Sequence, residues 1–439
     1  MIKKEDYTIY YIWLSEAVGR SYKAYRELIS AFGNVYDIYR ADADEYMHLS
    51  GNVRRHIEGL CDKSIGKAVS VSDFCRGHGI HIITYESDVY PSLLKNIESP
   101  PLVLYVRGRL PDFEGKLHIS AVGTRRMTEY GKEIAYNFGY SLAKNGAVLV
   151  SGMALGCDAA AMCGALDAGG FAIGVLGCGV DIAYPPEHAH FMRHVERHGA
   201  LISEYPPGTR AEPSHFPERN RIISGLSRAL IVVEGDIKSG AMISARHAIS
   251  QGRAVFAVPG RLGEKSSEGA VSLLSDGARL AREATDVLRE YALLYRGKID
   301  LKSYDALSSE QIDARLYARG VSKSKGSRRA PKAESKSINK PIKENLTEEQ
   351  PSQKSGGMFA SFVKIKDSKK QKEEESGKDT SMLSAELRTI YEKLPKGEMF
   401  ASDDVAKYGI SARDFMSGVT MLEIYGLAVS YPGGRYILK

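Results

Sequence analysis

A glycine, a threonine and an arginine follow directly after an apolar run in the segment SAVGTRRMTEYG (120–131). Gly123 lets the chain turn and approach a ligand closely, and the guanidinium of Arg125 can bind a phosphate through two parallel hydrogen bonds. The run continues neither into the G-x-x-x-x-G-K-[ST] loop of ATP-hydrolysing proteins nor into the G-x-G-x-x-G fingerprint of dinucleotide binding. Gly123, Thr124 and Arg125 therefore predict a turn that binds an anion without activating it.

Two other segments place small residues ahead of a predicted helix. VSGMALGCD contains Ser151 and Gly152, before a helix that we expect Asp158 to cap. KSGAMISA contains Ser239 and Gly240 in the same position relative to a later helix. Because backbone N–H groups at a helix N-terminus attract anions, all four small residues are candidates for the same binding site.

Two arginines in FPERNRII (216–223), Arg219 and Arg221, have two open roles. They can contact the ligand, or they can be structural and pair with Glu204 or Glu234 at neighbouring strand ends. The residues alone favour neither role.

The elements that must position these residues are visible as six apolar runs with helical patterns between them. The runs are LHISAVG (117–123), GAVLVSG (146–152), FAIGVLG (171–177), ALISE (200–204), RALIVVEG (228–235) and RAVFAVPG (253–260). One intervening helix is predicted to begin after Thr128 and to end at Asn145. Strands that alternate with helices predict an α/β fold with a parallel sheet covered on both faces. Such sheets bind ligands at the carboxyl ends of their strands, where the glycines of these runs fall.

Composition divides the chain into four segments. Residues 1–88 show short helical patterns, residues 89–295 the α/β pattern, and residues 381–439 three helices and a hairpin, which together predict a winged helix. Residues 296–380 are polar and charged and predict a disordered linker. Between residues 321 and 380, 15 Lys and Arg oppose 9 Asp and Glu, which accounts for the formal net charge of +6 of the 439-residue chain. The folded segments are therefore neutral, and a site for a polyanion must be a local pocket.

The segment LSGNVRRHI (49–57) has two interpretations. Gly51, Arg54 and Arg55 could form a phosphate-binding hairpin between helices, or the segment could be a plain interhelical turn. One glycine and two arginines are a weak signal, so the turn is favoured.

Several classes of protein are disfavoured by composition. No apolar run approaches the roughly 18 residues of a membrane span, and the beginning of the chain predicts a soluble cytoplasmic protein. The five cysteines lack C-x-x-C pairs and a nearby H-x-x-x-H, so buried free thiols are expected and neither a metal nor another cofactor is predicted.

Eight segments resemble, in order and spacing, the DNA-processing protein A (DprA or Smf) family. They are YPSLLKNIESPPLVLYVRG (90–108), AVGTRRMTEYG (121–131), SGMALGCDAAAMCGAL (151–166), LGCGVDIAYPPE (176–187), ISEYPPG (202–208), FPERNRIISGLS (216–227), VVEGDIKSGAMISARHA (232–248) and VFAVPG (255–260). The resemblance covers roughly residues 85–290, and the flanking segments resemble a sterile-alpha-motif-like (SAM-like) helical domain and a winged helix.

This resemblance implies a Rossmann-like core that binds single-stranded DNA in a positively charged pocket, forms a homodimer and helps to load the RecA recombinase during natural transformation. It implies a binding protein, which is not an enzyme. By the family pattern Arg125 is the principal DNA contact, and Gly123 and Thr124 shape the same pocket.

Two departures from the family pattern stand out. Many members have Ala-His where this chain has Ala161-Met162, and an asparagine followed by a basic residue where this chain has the segment from His188 to His190. We expect His188 and His190, with Arg193, to contribute to the pocket and to make binding weaker and more dependent on pH.

The predicted winged helix is expected to contact protein. Its third helix contains Arg413 as its only basic residue, beside Asp414 and Glu423. Modules that read duplex DNA concentrate Arg and Lys on this helix.

Two other functions compete with DNA binding. Phosphoribohydrolases of similar fold process nucleotides, and Asp158, Glu204 and Glu234 are conceivable acid-base groups. The characteristic P-G-G-x-G-T-x-x-E loop is nevertheless replaced by EGDIKSGAMISA, which has no glutamate after its glycine. A third interpretation makes the chain an assembly scaffold for which DNA affinity is incidental.

Overall fold

The computed structural model describes residues 7–19 and 21–321 and, towards the C-terminus, residues 385–401, 405, 407–411, 414, 415, 418, 419, 422, 427–431 and 435–438. The chain divides into two compact units, residues 1–336 and 337–439. Each unit is described separately.

The first unit begins with short helices that pack around large aromatic side chains. These are α1 (Thr8–Ala17), α2 (Tyr22–Phe32), α3 (Val35–Arg40), α4 (Ala43–Met47), α5 (Gly51–Arg54), α6 (Ile57–Cys61) and α7 (Gly66–Gly77). The backbone N–H and the hydroxyl of Ser50 both donate to the carboxylate of Glu27, at 2.5 Å each. Because this carboxylate occupies donors that a phosphate would need, the geometry favours the turn interpretation of residues 49–57. The SAM-like assignment remains a prediction.

The rest of the first unit alternates strands with helices. In chain order the elements are β1 (Ile80–Thr84), α8 (Ser92–Lys95), β2 (Val103–Gly108), β3 (His118–Val122), α9 (Glu129–Lys144), β4 (Val148–Ser151), α10 (Cys157–Asp167), β5 (Ala172–Leu176), α11 (Ala189–His198), β6 (Ala200–Ser203), α12 (His215–Gly225), β7 (Ala229–Val232), α13 (Gly240–Ser250), β8 (Ala254–Ala257), α14 (Glu268–Ser275), β9 (Arg279–Leu280), α15 (Ala284–Leu288) and α16 (Ser309–Ala318). Two 3-10 turns lie at Pro186–His188 and Arg289–Tyr291.

The described strands of this unit form one sheet in the order β1-β2-β6-β5-β4-β3-β7-β8-β9. Strands β3 to β9 pair in parallel, and β2 joins β6 and β1 in antiparallel fashion. The six predicted apolar runs become β3 to β8, and strands β3 to β7 are buried along their whole length. The predicted α/β, Rossmann-like core is confirmed.

The N-terminal boundary of this core differs from the prediction. Strand β1 lies inside the predicted helical segment 1–88, yet it pairs with β2 at the edge of the sheet. Its five residues follow α7 after two residues, so composition did not separate them from the helical segment. The core therefore begins at β1.

The predicted linker also begins too early. Helix α16 lies within predicted segment 296–380 and is opened by a capping box of Ser308 and Gln311. It buries Ile312 and Leu316, and Asp313 binds the buried ammonium of Lys132 at 2.8 Å. This i, i+4 apolar pair packs on α9 and α10 and keeps the chain folded through Val321. The rest of the predicted linker, 322–380, lies outside the described residues.

The second unit contains α17 (Ala385–Lys393), β10 (Met399–Ala401), β11 (Ala428–Tyr431) and β12 (Arg435–Leu438). Strand β11 pairs with β12 in antiparallel fashion, as in the predicted hairpin, and β10 pairs with the other edge of β12. The turn predicted around Pro432 lies outside the described residues. Leu387, Phe415, Val419 and Leu422 share its apolar core. Arg413 and Glu423 lie outside the described residues, and the winged helix remains a prediction.

Two whole-chain expectations can be compared with the described residues. No helix among them has both the length and the apolar character to cross a membrane. Four of the five cysteines are buried and unpaired as expected, whereas Cys61 is exposed.

Candidate functional site

A cavity of about 680 Å³ opens at the carboxyl ends of the central strands. Its walls include Val122 to Arg126 after β3, Ala154 after β4, and Ser239 to Ala241 after β7. The strand order reverses between the neighbours β3 and β7, because β4 to β6 follow β3 on one side and β8 and β9 follow β7 on the other. Crevices of this kind, at the switch point of a parallel sheet, are the usual ligand sites of the fold.

The Gly123–Thr124 turn packs against α10, bonds to the segment after β7, and contains a hydrogen bond of its own. A side chain at Gly123 would place its Cβ 2.5 Å from the Cβ of Cys157, so only glycine fits against α10. The N–H of Thr124 donates to the carbonyl of Glu234 at 2.8 Å, and its hydroxyl accepts from the N–H of Arg126 at 3.2 Å. The turn is therefore rigid before any ligand arrives.

Asp158 ties two strand ends together and does not cap its own helix, so the cap prediction is wrong. Its carboxylate accepts from the N–H groups of Gly123 at 3.3 Å and Gly152 at 3.1 Å. The N-cap of α10 is Gly156, which has a positive φ of 83° and lies two residues before the predicted cap, so Asp158 belongs to the first turn of the helix. Burial raises the pKa of Asp158, and the nearby Arg219 guanidinium opposes that rise.

Glu234 performs a similar task on the other side of the turn. Its carboxylate accepts from the hydroxyl of Thr128 at 2.5 Å and from the N–H of Thr128 at 3.0 Å. The Thr128 hydroxyl in turn accepts from the N–H of Gly131 and caps α9, as predicted. The side chain of Glu234 is consequently occupied in positioning α9.

Arg125 presents its guanidinium at the mouth of the cavity. The side chain is exposed, and its Cζ lies 5.5 Å from the ring centroid of Phe216. Arg126 is also exposed and lines the same cavity. Neither arginine has a carboxylate partner among the described residues, so both are available to an anion.

Arg219 adds a third positive charge, which is buried at the wall of the cavity. It is 4% exposed, and its guanidinium donates to the carbonyl of Gly152 at 2.7 Å and to that of Val175. Its Cζ lies 5.9 Å from the centroid of the Phe216 ring. Burial lowers the pKa of Arg219 to about 10, and the negative charge of Asp158 partly offsets this effect. At neutral pH the buried guanidinium therefore stays charged beneath the cavity.

Phe216 and Tyr184 form an aromatic wall that the sequence analysis did not identify. Their ring centroids are 4.9 Å apart, and both rings line the cavity together with a smaller chamber of about 80 Å³ beneath Arg125. The two residues are 32 positions apart in the chain and follow no periodic pattern. The only sequence signal for this wall is that Phe216 lies three residues before the predicted Arg219.

Ser239 and Gly240 line the cavity at the beginning of α13. The Ser239 hydroxyl oxygen is buried without a hydrogen-bond partner among the described residues. Asn220 lies opposite and donates to the carbonyl of Gly240 at 3.3 Å. This wall offers neutral polar groups beside the cations.

Five predicted site residues do not line the main cavity. The buried hydroxyl of Ser151 donates to the Ala121 carbonyl at 2.7 Å, and Gly152 lines only the smaller chamber. Arg221 pairs with Glu204 at 2.6 Å, the structural role left open above. His188 is fully buried beneath the Met153 carbonyl, and exposed His190 bonds to the Arg319 carbonyl on α16.

The lining of the main cavity contains three arginines and one carboxylate, Asp158. That carboxylate is already engaged by backbone donors. Glu204 and Glu234, the other conceivable acid-base groups, hold Arg221 and Thr128. The arrangement is suited to binding a negatively charged group beside an aromatic surface.

Comparison with known proteins places this region in a family. Residues 81–292 match the family model described as DNA recombination-mediator protein A. DNA processing protein DprA of Bacillus subtilis is 41% identical over 215 residues, which cover 49% of this chain and 72% of that protein. Protein Smf of Escherichia coli is 36% identical over 237 residues, which cover 54% of this chain and 63% of that protein.

A solved structure is also similar. The X-ray structure of DNA processing protein A from Streptococcus pneumoniae matches with a TM-score of 0.57 and 30% identity, over 64% of this chain and 98% of that chain. All residues that line the main cavity lie within the part that matches the family model.

Proposed function

This chain belongs to the DNA recombination-mediator protein A family, also named DprA or Smf, and we propose that it binds single-stranded DNA in the main cavity. The observation that carries the proposal is the pair of exposed guanidiniums on the turn after β3, neither of which has a carboxylate partner in the described part of the chain. Arg125 and Arg126 project from a turn fixed by Glu234 and Asp158, so little ordering is needed when a phosphate binds. Arg125 is assigned the principal contact.

The aromatic wall favours an unpaired strand over a duplex. Bases of a single strand can stack on aromatic rings, and each such contact is worth about 1–3 kcal/mol. The rings of Phe216 and Tyr184 lie directly beside Arg125, so a phosphate and its neighbouring base can be bound together. Paired bases inside a duplex cannot reach these rings.

The other predicted site residues divide into those that border the cavity and those that are buried around it. Gly123, Thr124, Ser239 and Gly240 border the cavity and are proposed to contact the strand through backbone or hydroxyl groups. Ser151, Gly152, His188, Arg219 and Arg221 are buried and are proposed to act by shaping the site. His190 lies on α11, outside both cavities.

We assign this chain the role of recombination mediator, with RecA as the recombinase that receives the strand during natural transformation. Homodimer formation is part of this proposal. Leu293 and Leu294 are 91% and 63% exposed, and apolar side chains left in water are typical of surfaces that associate. The C-terminal unit is proposed to be a winged helix that contacts protein.

The proposal does not include catalysis. The competing function, hydrolysis of nucleotides, needs a free carboxylate at the cavity, and Asp158, Glu204 and Glu234 each hold a structural partner. Incubation with nucleoside monophosphates should release no free base. Release of base that Asp158→Asn abolishes would favour the enzyme instead.

The direct test is a comparison of strands across a salt series. Fluorescence anisotropy should show tighter binding of an oligothymidylate than of a duplex of equal length. The logarithm of the affinity should fall with the logarithm of the salt concentration by about 0.7 for each phosphate contacted. Equal affinity for duplex and single strand, or affinity that salt does not change, would contradict the proposal.

A further inference from the structure

Helix α11 exposes a row of basic side chains outside both cavities. One side of the helix buries Phe191, Met192 and Val195 against the sheet. The other side carries, in chain order, His190, Arg193, His194, Arg197 and His198, of which all but the half-buried His194 are exposed. This second side is called the α11 basic face.

The charges of this face are not neutralised locally. Arg193 and Arg197 have no carboxylate partner in the part of the chain that the structure describes. The half-buried Glu196 lies at the edge of this face, and its carboxylate is engaged by the guanidinium of Arg107 on β2 at 3.0 Å. Within the helix, then, every exposed ionisable group on this face is a base.

The neighbouring elements contribute little negative charge. The carbonyl of Arg319, at the end of α16, lies 3.1 Å from Nδ1 of His190, and the Arg319 guanidinium binds the carboxylate of Asp167. Apart from Glu196 within the helix, the nearest carboxylate along the chain is that of Glu187, which is exposed in the 3-10 turn ahead of α11. The face is therefore basic from the second residue of α11 to its last.

The α11 basic face begins where the proposed DNA site ends. Tyr184 and Pro185 line the smaller chamber, and the 3-10 turn that follows leads directly into α11. His188, in this turn, has its Nδ1 3.0 Å from the carbonyl of Met153, another residue of that chamber. From His190 to His198 the helix rises by about 12 Å, long enough to follow more than one phosphate of an extended strand.

We propose that the α11 basic face is a second contact for the DNA backbone, which binds the strand where it leaves the cavity. The inference rests on the proposed function, since it assumes that a strand occupies the cavity. Arg193 and Arg197 supply the permanent charges, spaced one helical turn apart. An alternative explanation is that these basic residues only stabilise the C-terminal end of the helix dipole. This does not account for Arg193, which lies in the middle of α11.

Oligonucleotides of two lengths separate the two contacts. An oligothymidylate of about six nucleotides should occupy the cavity alone, and one of about twenty should also reach α11. In the full chain, the double variant Arg193→Glu/Arg197→Glu should keep the affinity for the short strand. It should lose about tenfold in affinity for the long strand, and its salt slope should be shallower by about 1.4, the value for two phosphates.

The control is Arg76→Glu/Arg109→Glu, which makes the same change of charge at two exposed positions outside α11. Long-strand affinity and salt slope of the α11 double variant equal to those of the wild type would overturn the proposal. If the control weakens long-strand binding as much as the α11 variant, the effect is one of net charge and the proposal also fails. Failure of the wild-type chain to bind even the short strand would instead refute the proposed function. Thermal unfolding of each variant verifies that it is folded.

Discussion

At the scale of single residues, the site depends on side chains that hold loops as much as on those that face the ligand. Arg125 could be predicted because a glycine, a hydroxyl residue and an arginine directly after a buried strand form a local pattern. The role of Asp158 could not, because its partners Gly123 and Gly152 belong to two other strand ends. His188 was expected at the ligand, but the turn before α11 rotates its ring into the core.

Asp158→Ala should destabilise the first unit by about 3 kcal/mol. The substitution leaves two buried N–H groups without an acceptor and removes the negative charge near the buried guanidinium of Arg219. Urea denaturation measures the change. Asp276→Ala, at an exposed carboxylate, is the control and should change stability by less than about 0.5 kcal/mol. A similar small change for both variants would show that Asp158 does not hold the strand ends.

His118 should make the protein sensitive to acid. Burial at the start of β3 lowers the pKa of His118 to about 4, whereas the unfolded chain protonates its histidines near pH 6.5. Between these values the unfolded state binds more protons, so this contribution to stability is complete above about pH 6.5 and is lost as the pH falls towards 4. The slope is up to about 1.4 kcal/mol per pH unit.

Replacement of the buried imidazole tests this expectation. The free energy of unfolding of His118→Asn should fall less steeply between pH 6.5 and 4.5 than that of the wild type. His81→Asn, at an exposed position of β1, should retain the wild-type slope. Parallel slopes for His118→Asn and the wild type would refute the assignment.

At the scale of elements, strands with continuous apolar runs were predictable and short or polar elements were not. Strands β3 to β7 are buried throughout and β8 is buried except at its first residue, so hydrophobicity alone identifies them. Thr128 and Asn145 mark the ends of α9 because each lies at a capping position. Helix α16 escaped prediction because only Ile312 and Leu316 distinguish it from the polar segment that follows.

Helix α16 should contribute measurably to the stability of the first unit. Ile312 is fully buried against α9 and α10, so Ile312→Ala should lower the free energy of unfolding by about 2–4 kcal/mol. Tyr317, in the same helix, is 86% exposed, and Tyr317→Ala should have almost no effect. If Ile312→Ala is as stable as Tyr317→Ala, the chain beyond residue 296 behaves as the predicted linker.

At the scale of the whole molecule, charge must act locally. Outside residues 321–380 the chain has equal numbers of basic and acidic residues, 45 of each. The proposed affinity for DNA therefore depends on where exposed arginines cluster, at the turn after β3 and along α11. Composition predicts a local site, and that site remains a proposal; only the assembled sheet brings Phe216 and Arg219 close to Arg125.

The central claim is that Arg125 binds the backbone of a single strand, and reversal of its charge tests it most directly. Arg109 is a matched control, because it is also exposed and also lies over a phenylalanine ring, with its Cζ 5.7 Å from the centroid of Phe171. It follows β2, which runs antiparallel to β6, so it lies at the edge of the sheet opposite to Arg125. Anisotropy titrations with a labelled oligothymidylate should show binding by the wild type and Arg109→Glu, and none by folded Arg125→Glu. If Arg125→Glu binds as tightly as Arg109→Glu, the strand lies elsewhere and the account is wrong.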